Sequence, residues 1–328
     1  MHGWLILDKP VGLGSTGAVT AVKRALRDGG YGKAKVGHGG TLDPLASGVL
    51  PVALGEATKL AGRMLDSDKV YDFAIGFGVE TDTLDAEGTV VATSDVRPSW
   101  AQVEAVLPRF TGPIRQVPPA YSALKVDGAR AYDLARAGEE VVLAERAVTV
   151  HSLTLSSPAR GGGARSATEG YCPLDSATPL RHAYGMPPPL SGEELANVTL
   201  TAHVSKGTYI RSLARDIAQA LGTVGHVTML RRTTAGPFDL AHAISLDKLA
   251  EAAKARSLHE HILPLRAGLD DIPALALDPD QAGALRQGRV LGGIANDDGP
   301  YFATLGETPV ALIEVLRGEA RVVRGFNL

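Results

Sequence analysis

"GHGGTLDPLASGVLP", residues 37–51, sets one carboxylate, Asp43, among small and turn-forming residues, with an apolar run behind it. Glycines at 37, 39, 40 and 48 remove side chains where a backbone bends or is closely approached. Pro44 fixes the chain just after Asp43 and turns Asp43 away from helix. A loop of this kind is either a plain Asp-Pro turn or a mount for a reactive carboxylate. The stretch alone leaves both readings open.

Outward from the loop, "GWLILD" (3–8) reads as a strand and "STGAVTAVKRALRDGG" (15–30) as a helix, with Ser15 or Thr16 as N-cap and Gly29 ending it. "EATKLAGRML" (56–65) is a second helical segment. In "KVYDFAIGFGVETDT" (69–83) the alternation puts Tyr71, Phe73 and Ile75 on one face of a strand. "TVVATSDV" (89–96) is its hairpin partner across "DTLDAEG" (82–88). "SWAQVEAVLPRF" (99–110) and "RAYDLARAG" (130–138) read as helices, "RAVTVHSLTL" (146–155) and "VTLTAHV" (198–204) as strands. "TYIRSLARDIAQALG" (208–222) is an amphipathic helix ended by Gly222. Strands joined by turns and interspersed with helices predict an α+β fold, a mixed and largely antiparallel sheet flanked by helices. Residues 156–194, rich in Gly, Pro and Ser and without periodicity, read as an irregular surface insertion. A boundary near 262/263 separates a larger domain, 1–262, from a small β-rich module, 263–328.

Composition narrows the function classes. The 328 residues carry 45% hydrophobic and 21% charged side chains, the balance of an ordinary globular protein. No apolar stretch is long enough to span a bilayer and no secretory leader pattern is present, so the expectation is a cytoplasmic protein without membrane contact. The single cysteine, Cys172, excludes an internal disulfide framework and a multi-cysteine zinc site. Net charge is -3, yet residues 1–70 hold nine basic against six acidic side chains, and residues 205–235 five against one. A basic face on a mildly acidic protein can steer a polyanion.

Several motifs resolve into plain structure. "GLGSTG" (12–17) has dinucleotide-loop spacing, but Lys9-Pro10 interrupts the approach and no acidic-ended second strand follows; it reads as a strand-to-helix turn. "DTLDAEG" lacks the alternating ligands of a calcium loop and is a hairpin turn. The two histidines of "HEHI" (259–262) do not share a helix face, and no metal site is expected. A serine nucleophile finds no elbow motif. Two features remain: Asp43, a carboxylate suited to covalent attack on a sugar carbon, and "SKGTYIRSLARDI" (205–217). There Tyr209 can stack on a base, and Arg211 can fix and ionise a carboxylate.

Six segments, "GWLILDKPVGLGST", "KVGHGGTLDPLASGVLPVALGEATKL", "KVYDFAIGFGVETDTLDAEG", "QVPPAYSALKVDGARAYDLARAG", "SKGTYIRSLARDIAQALG" and "GHVTMLRRTTAGPF", resemble in order those of the bacterial tRNA pseudouridine-55 synthases, the TruB family. The match runs to about residue 238, and the C-terminal module looks like that family's small PUA-type RNA-binding barrel. The resemblance implies a pseudouridine synthase sheet and a cofactor-free isomerisation of the T-arm uridine of tRNA. By its motifs Asp43 is the catalytic aspartate, Tyr71 the active-site tyrosine and Arg211 the arginine that pairs with the aspartate. His38, Tyr209 and Leu230 fall where the family lines the pocket of a flipped-out uridine, and Lys9 lies in a Lys-Pro element beside it. The implied partner is tRNA, bound through its T arm by a monomer with no obligate protein partner; an accompanying tRNA-folding activity is compatible with the same surface.

Overall fold

A computed structural model describes residues 1–126, 128–156 and 194–328. The predicted insertion over 156–194 lies, apart from its two end residues, outside the described residues. The principal strands are β1 (Gly3–Lys9), β2 (Val36–His38), β3 (Ala46–Leu54), β4 (Lys69–Phe77), β5 (Gly112–Gln116), β6 (Arg146–Leu155), β7 (Asn197–Val204) and β8 (Gly225–Ala235). The principal helices are α1 (Ser15–Asp28), α2 (Ile210–Ala220) and α3 (Leu246–Lys254). The chain divides into two compact units, one of Met1–Val70 with Arg231–Leu328 and the other of Tyr71–Leu230. It passes between them inside β4 and inside β8.

In the first unit β1 is antiparallel to β3 along its whole length, from Gly3 opposite Leu54 to Lys9 opposite Gly48. β2 pairs the far end of β3, placing His38 opposite Val52. Residues 3–7 and 49–54 are buried on both faces, which is why "GWLIL" and "VLPVAL" read as unbroken apolar runs rather than alternations. Trp4, Ile6, Val49 and Ala53 join Phe238, Leu265 and Leu269 in one core. The C-terminal residues of this unit form a separate five-stranded sheet with Thr308–Leu316 at its centre. It has its own small core of Val310, Ile313, Val315 and Leu285.

In the second unit the strand order is β8, β4, β7, β6, β5. Phe73, Ile75 and Phe77 are buried from β4, on the face the alternation predicts. They meet Ile210, Leu213, Ala214 and Ile217 of α2. The i, i+3, i+4, i+7 spacing of those four residues is what makes α2 a core helix, and each large side chain so buried contributes about 1.5–3 kcal/mol. α2 stops after Ala220 because Gly222 takes a positive φ of 75°. The predicted hairpin forms between Val79–Thr81 and Val90–Thr93.

One expectation is corrected. α1 begins at Ser15, but its N-cap is Gly14, with no side-chain cap. The Ser15 hydroxyl instead donates to the Leu42 carbonyl (3.0 Å) and accepts from the Leu42 amide (2.8 Å). A tertiary partner has taken the hydroxyl from its local capping role. Among the described residues, no helix is long and apolar enough to cross a membrane.

Candidate active site

The Asp43 loop, in the first unit, is held from behind at nearly every carbonyl. Leu42 is gripped at both backbone atoms by Ser15. The Pro44 carbonyl accepts from the Gly12 amide (2.8 Å) and from Lys9 Nζ (3.4 Å). Lys9 also donates to the carbonyls of Leu13 (2.7 Å) and Pro10 (2.9 Å), so one buried ammonium ties the end of β1 and the "KPVGL" turn to the Asp43 loop. The glycine-rich turn read in the sequence thus has its reason: it lets the chain wrap around Lys9. Asp43 itself is half-buried, and its carbonyl accepts from Ala46 to close the turn (3.1 Å).

Burial pushes the Lys9 pKa down to about 8; the Asp43 charge opposes that shift and the Arg232 charge adds to it. Lysine in the unfolded chain titrates near 10.5. Between those values the folded protein binds fewer protons than the unfolded chain, so this group makes stability rise with pH from about 8 upwards; below 8 its burial cost is fully present. Wild type is therefore expected to gain on Lys9→Met in urea midpoint as pH is raised from 7 to 10. Parallel midpoints across that range would contradict the buried, charged Lys9. His38, half-buried at the end of β2, is held below the ordinary histidine range by burial and by the Arg232 charge, and so is neutral at pH 7. Its Nδ1 accepts from the Gly40 amide (3.4 Å).

The second unit places Tyr71, Tyr209, Arg211 and Leu230. Tyr71 and Leu230 pack, partly buried, against the core under β4. Tyr209 stands at the N-cap of α2, where its amide donates to Gln116 Oε1 (2.8 Å) and its carbonyl accepts from Gln116 Nε2 (3.1 Å). Arg211, 6% exposed, donates to the carbonyls of Thr83 (2.9 Å) and Tyr121 (3.0 Å) and forms an ion pair with Asp85 (3.2 Å). Asp85 is aimed by the Thr83 hydroxyl (2.5 Å) and the Glu87 amide (3.1 Å). The guanidinium is thus immobilised by the hairpin turn and by the "PPAYSALK" loop.

Three contributors were not singled out in the sequence. Asp85 reads as a turn residue, the sequence assigns Gln116 no role, and no local signal marks their distant partners. Arg232 left a trace: adjacent arginines on a strand face opposite ways, so one of Arg231 and Arg232 must point inward. Arg231 pairs outward with Asp8 (2.8 Å), while Arg232 is 1% exposed.

Breaking the buried Arg211–Asp85 pair leaves an uncompensated charge. Arg211→Met is expected to cost about 3 kcal/mol or more. In a four-member cycle with Asp85→Asn, the double variant should lose less than the two single losses together, by roughly 1–3 kcal/mol. Strictly additive losses in urea unfolding would mean the two side chains do not act as a pair.

Comparison with known proteins shows the family. A family model described as TruB family pseudouridylate synthase (N terminal domain) matches residues 28–161. One for the tRNA pseudouridylate synthase B C-terminal domain matches residues 211–270. The chain is 60% identical over its full length to the tRNA pseudouridine synthase B of Novosphingobium aromaticivorans, covering 98% of that protein. It is 56% identical over its full length to that of Zymomonas mobilis, covering 96%. Among solved structures it resembles a chain of an H/ACA RNP bound to a substrate RNA containing 2'-deoxyuridine, with a TM-score of 0.66 at 23% identity, over 99% of this chain and 85% of that one. At that identity the likeness shows the fold.

Proposed function

The chain belongs to the TruB family of pseudouridylate synthases, and from that premise we propose that it isomerises the T-arm uridine at position 55 of tRNA, with Asp43 as the nucleophile. Membership makes it a pseudouridine synthase, an isomerase of the tRNA pseudouridine synthase B kind. The observation that best supports the finer reading is the bracing of residues 40–44: the one carboxylate of the stretch 37–51 sits on a loop whose neighbouring carbonyls are tied down. A plain Asp-Pro turn needs no such scaffold.

The reaction breaks the C1′–N1 bond, turns the base, and joins C5 to the same C1′, while the C5 proton is lost and N1 gains one. Asp43 is the nucleophile of that exchange. Arg211, fixed by Asp85 and two carbonyls, is the cation that pairs with and orients the aspartate in the RNA-bound enzyme. Tyr71 stacks on the detached base and moves a proton. The uridine is flipped from its stack at a cost of a few kcal/mol, about the cost of unstacking one base. His38, neutral at pH 7, fills the space it leaves. Tyr209 and Leu230 line the pocket and Lys9 supports the loop from beneath.

The exposed basic stretch near 20–35 binds phosphates, so recognition is mainly of T-arm shape. In the 205–235 stretch Arg211 and Arg232 are buried and Arg215 and Arg231 are paired with Asp216 and Asp8, so its charges serve the fold instead. Residues 1–262 are the catalytic domain and 263–328 a PUA-like RNA-binding domain. The enzyme acts in the cytoplasm as a monomer, with no cofactor and no protein partner. The test is single-turnover tritium release from tRNA carrying [5-³H]uridine, with the product mapped by sequence. Release confined to the T arm supports the proposal; release elsewhere, or none with bound tRNA, overturns it.

A further inference from the structure

The mechanism above uses Arg211 and leaves a second buried arginine unexplained. Arg232 is among the largest fully buried side chains of the protein. A guanidinium in that position is costly unless its donors are satisfied, and usually a carboxylate does it. Here, among the described residues, its side-chain partners are carbonyls. Nε donates to Val49 (2.8 Å), one terminal nitrogen to Thr41 (3.3 Å) and the other to Gly40 (3.2 Å). Those three carbonyls lie on the two flanks of one loop, three and two residues before Asp43 and six after it. The arginine therefore closes residues 40–49 on themselves, from inside the protein.

The sequence is built around that clamp. Gly40 has a φ of 145°, a conformation that L side chains rarely adopt, and its Cα faces the guanidinium, which a Cβ would meet at van der Waals distance, 3.4 Å. Gly48 lets β3 lie directly against the backbone of Arg232. Three acceptors spread around one planar group need the fixed fork of arginine; a lysine ammonium reaches them only by shifting the loop. After burial, the Arg232 charge is a further cause of the lowered pKa of Lys9 and of His38.

We infer that Arg232 is a positioning residue for the Asp43 nucleophile, setting the place of the catalytic loop through the carbonyls of Gly40, Thr41 and Val49. This rests on the assignment of Asp43 as nucleophile. It adds that the loop is registered by a charged fork from β8, the strand that also carries Leu230.

The experiment compares wild type, Arg232→Lys and Gly40→Ala in single-turnover tritium release, with tRNA affinity measured by filter binding and folding by circular dichroism. Arg232→Lys keeps the charge and removes the fork; its single-turnover rate is expected to fall ten- to a hundredfold with tRNA Kd within twofold of wild type. Gly40→Ala strains the backbone that carries the clamped Gly40 carbonyl and is expected to reproduce the split, which keeps the test decisive if the lysine variant does not fold. A third readout is the His38 ring titration by NMR in Arg232→Met, expected to move up towards 6.5 once the repelling charge is gone. Wild-type rates in folded Arg232→Lys and in Gly40→Ala would overturn the inference, as would losses carried entirely by tRNA affinity. Failure of the function itself would look different, since wild type would then release no tritium.

Discussion

Asp43→Asn is expected to abolish measurable tritium release while leaving tRNA binding and stability close to wild type. The substitution is nearly isosteric, and the backbone hydrogen bonds of residues 40–44 that brace the loop are kept. What the amide loses is nucleophilicity. Removing the group that forms the bond typically costs about 10⁴-fold or more, because the remaining site supplies only binding and orientation. Single-turnover release, with filter-binding affinity beside it, reads the two effects separately. Release at a rate within tenfold of wild type would demote Asp43 to a structural turn. A loss of affinity as large as the loss of rate would place it in RNA binding instead.

The reasons some features could be read from sequence and others could not are physical. β1 and β3 announce themselves as apolar runs because both faces are covered, and β4 by its alternation because one face is. α2 is legible because four core residues share one stripe. Those signals are local. The proposal for Asp43, Tyr71 and Arg211 rests on the order of six motifs, since no single motif distinguished a mount for a nucleophile from a turn. The supporting residues were least visible. Gln116 clamps Tyr209 from ninety-three residues away in the chain, and Arg211 reaches back by a similar distance to the Tyr121 carbonyl. A hydroxyl such as Ser15 has an ordinary local role available, and only the folded chain shows that Leu42 has claimed it. Long-range hydrogen bonds to backbone atoms leave almost no mark on the composition of either partner.

Gly48→Ala carries the largest expected loss of stability, and its cause is the same close packing that holds the loop. Gly48 has a φ of 101°, a region that L side chains rarely adopt. A Cβ there would lie 2.1 Å from the carbonyl oxygen of Arg232 and 3.0 Å from its nitrogen. The obstacle is backbone, not a side-chain tip, so it cannot swing aside. On the other edge of β3 Gly48 is paired with Lys9, which leaves no room to retreat. Backbone strain of about 1–3 kcal/mol and overpacking of about 1–3 kcal/mol together put the loss near 4 kcal/mol, a large share of the roughly 5–15 kcal/mol that holds a domain folded. Gly283 is the matched contrast: it lies within the helix Pro279–Arg286, and a Cβ there meets nothing within 4 Å. Gly283→Ala should therefore stabilise by about 0.5–1 kcal/mol from helix propensity alone. Urea midpoints moving in opposite directions for the two variants would show that the glycine of β3 next to the Asp43 loop answers to contact rather than to general flexibility. If Gly48→Ala unfolded at the wild-type midpoint, β3 could not lie against Arg232 as closely as described, and the seat of the Asp43 loop would have to be drawn elsewhere.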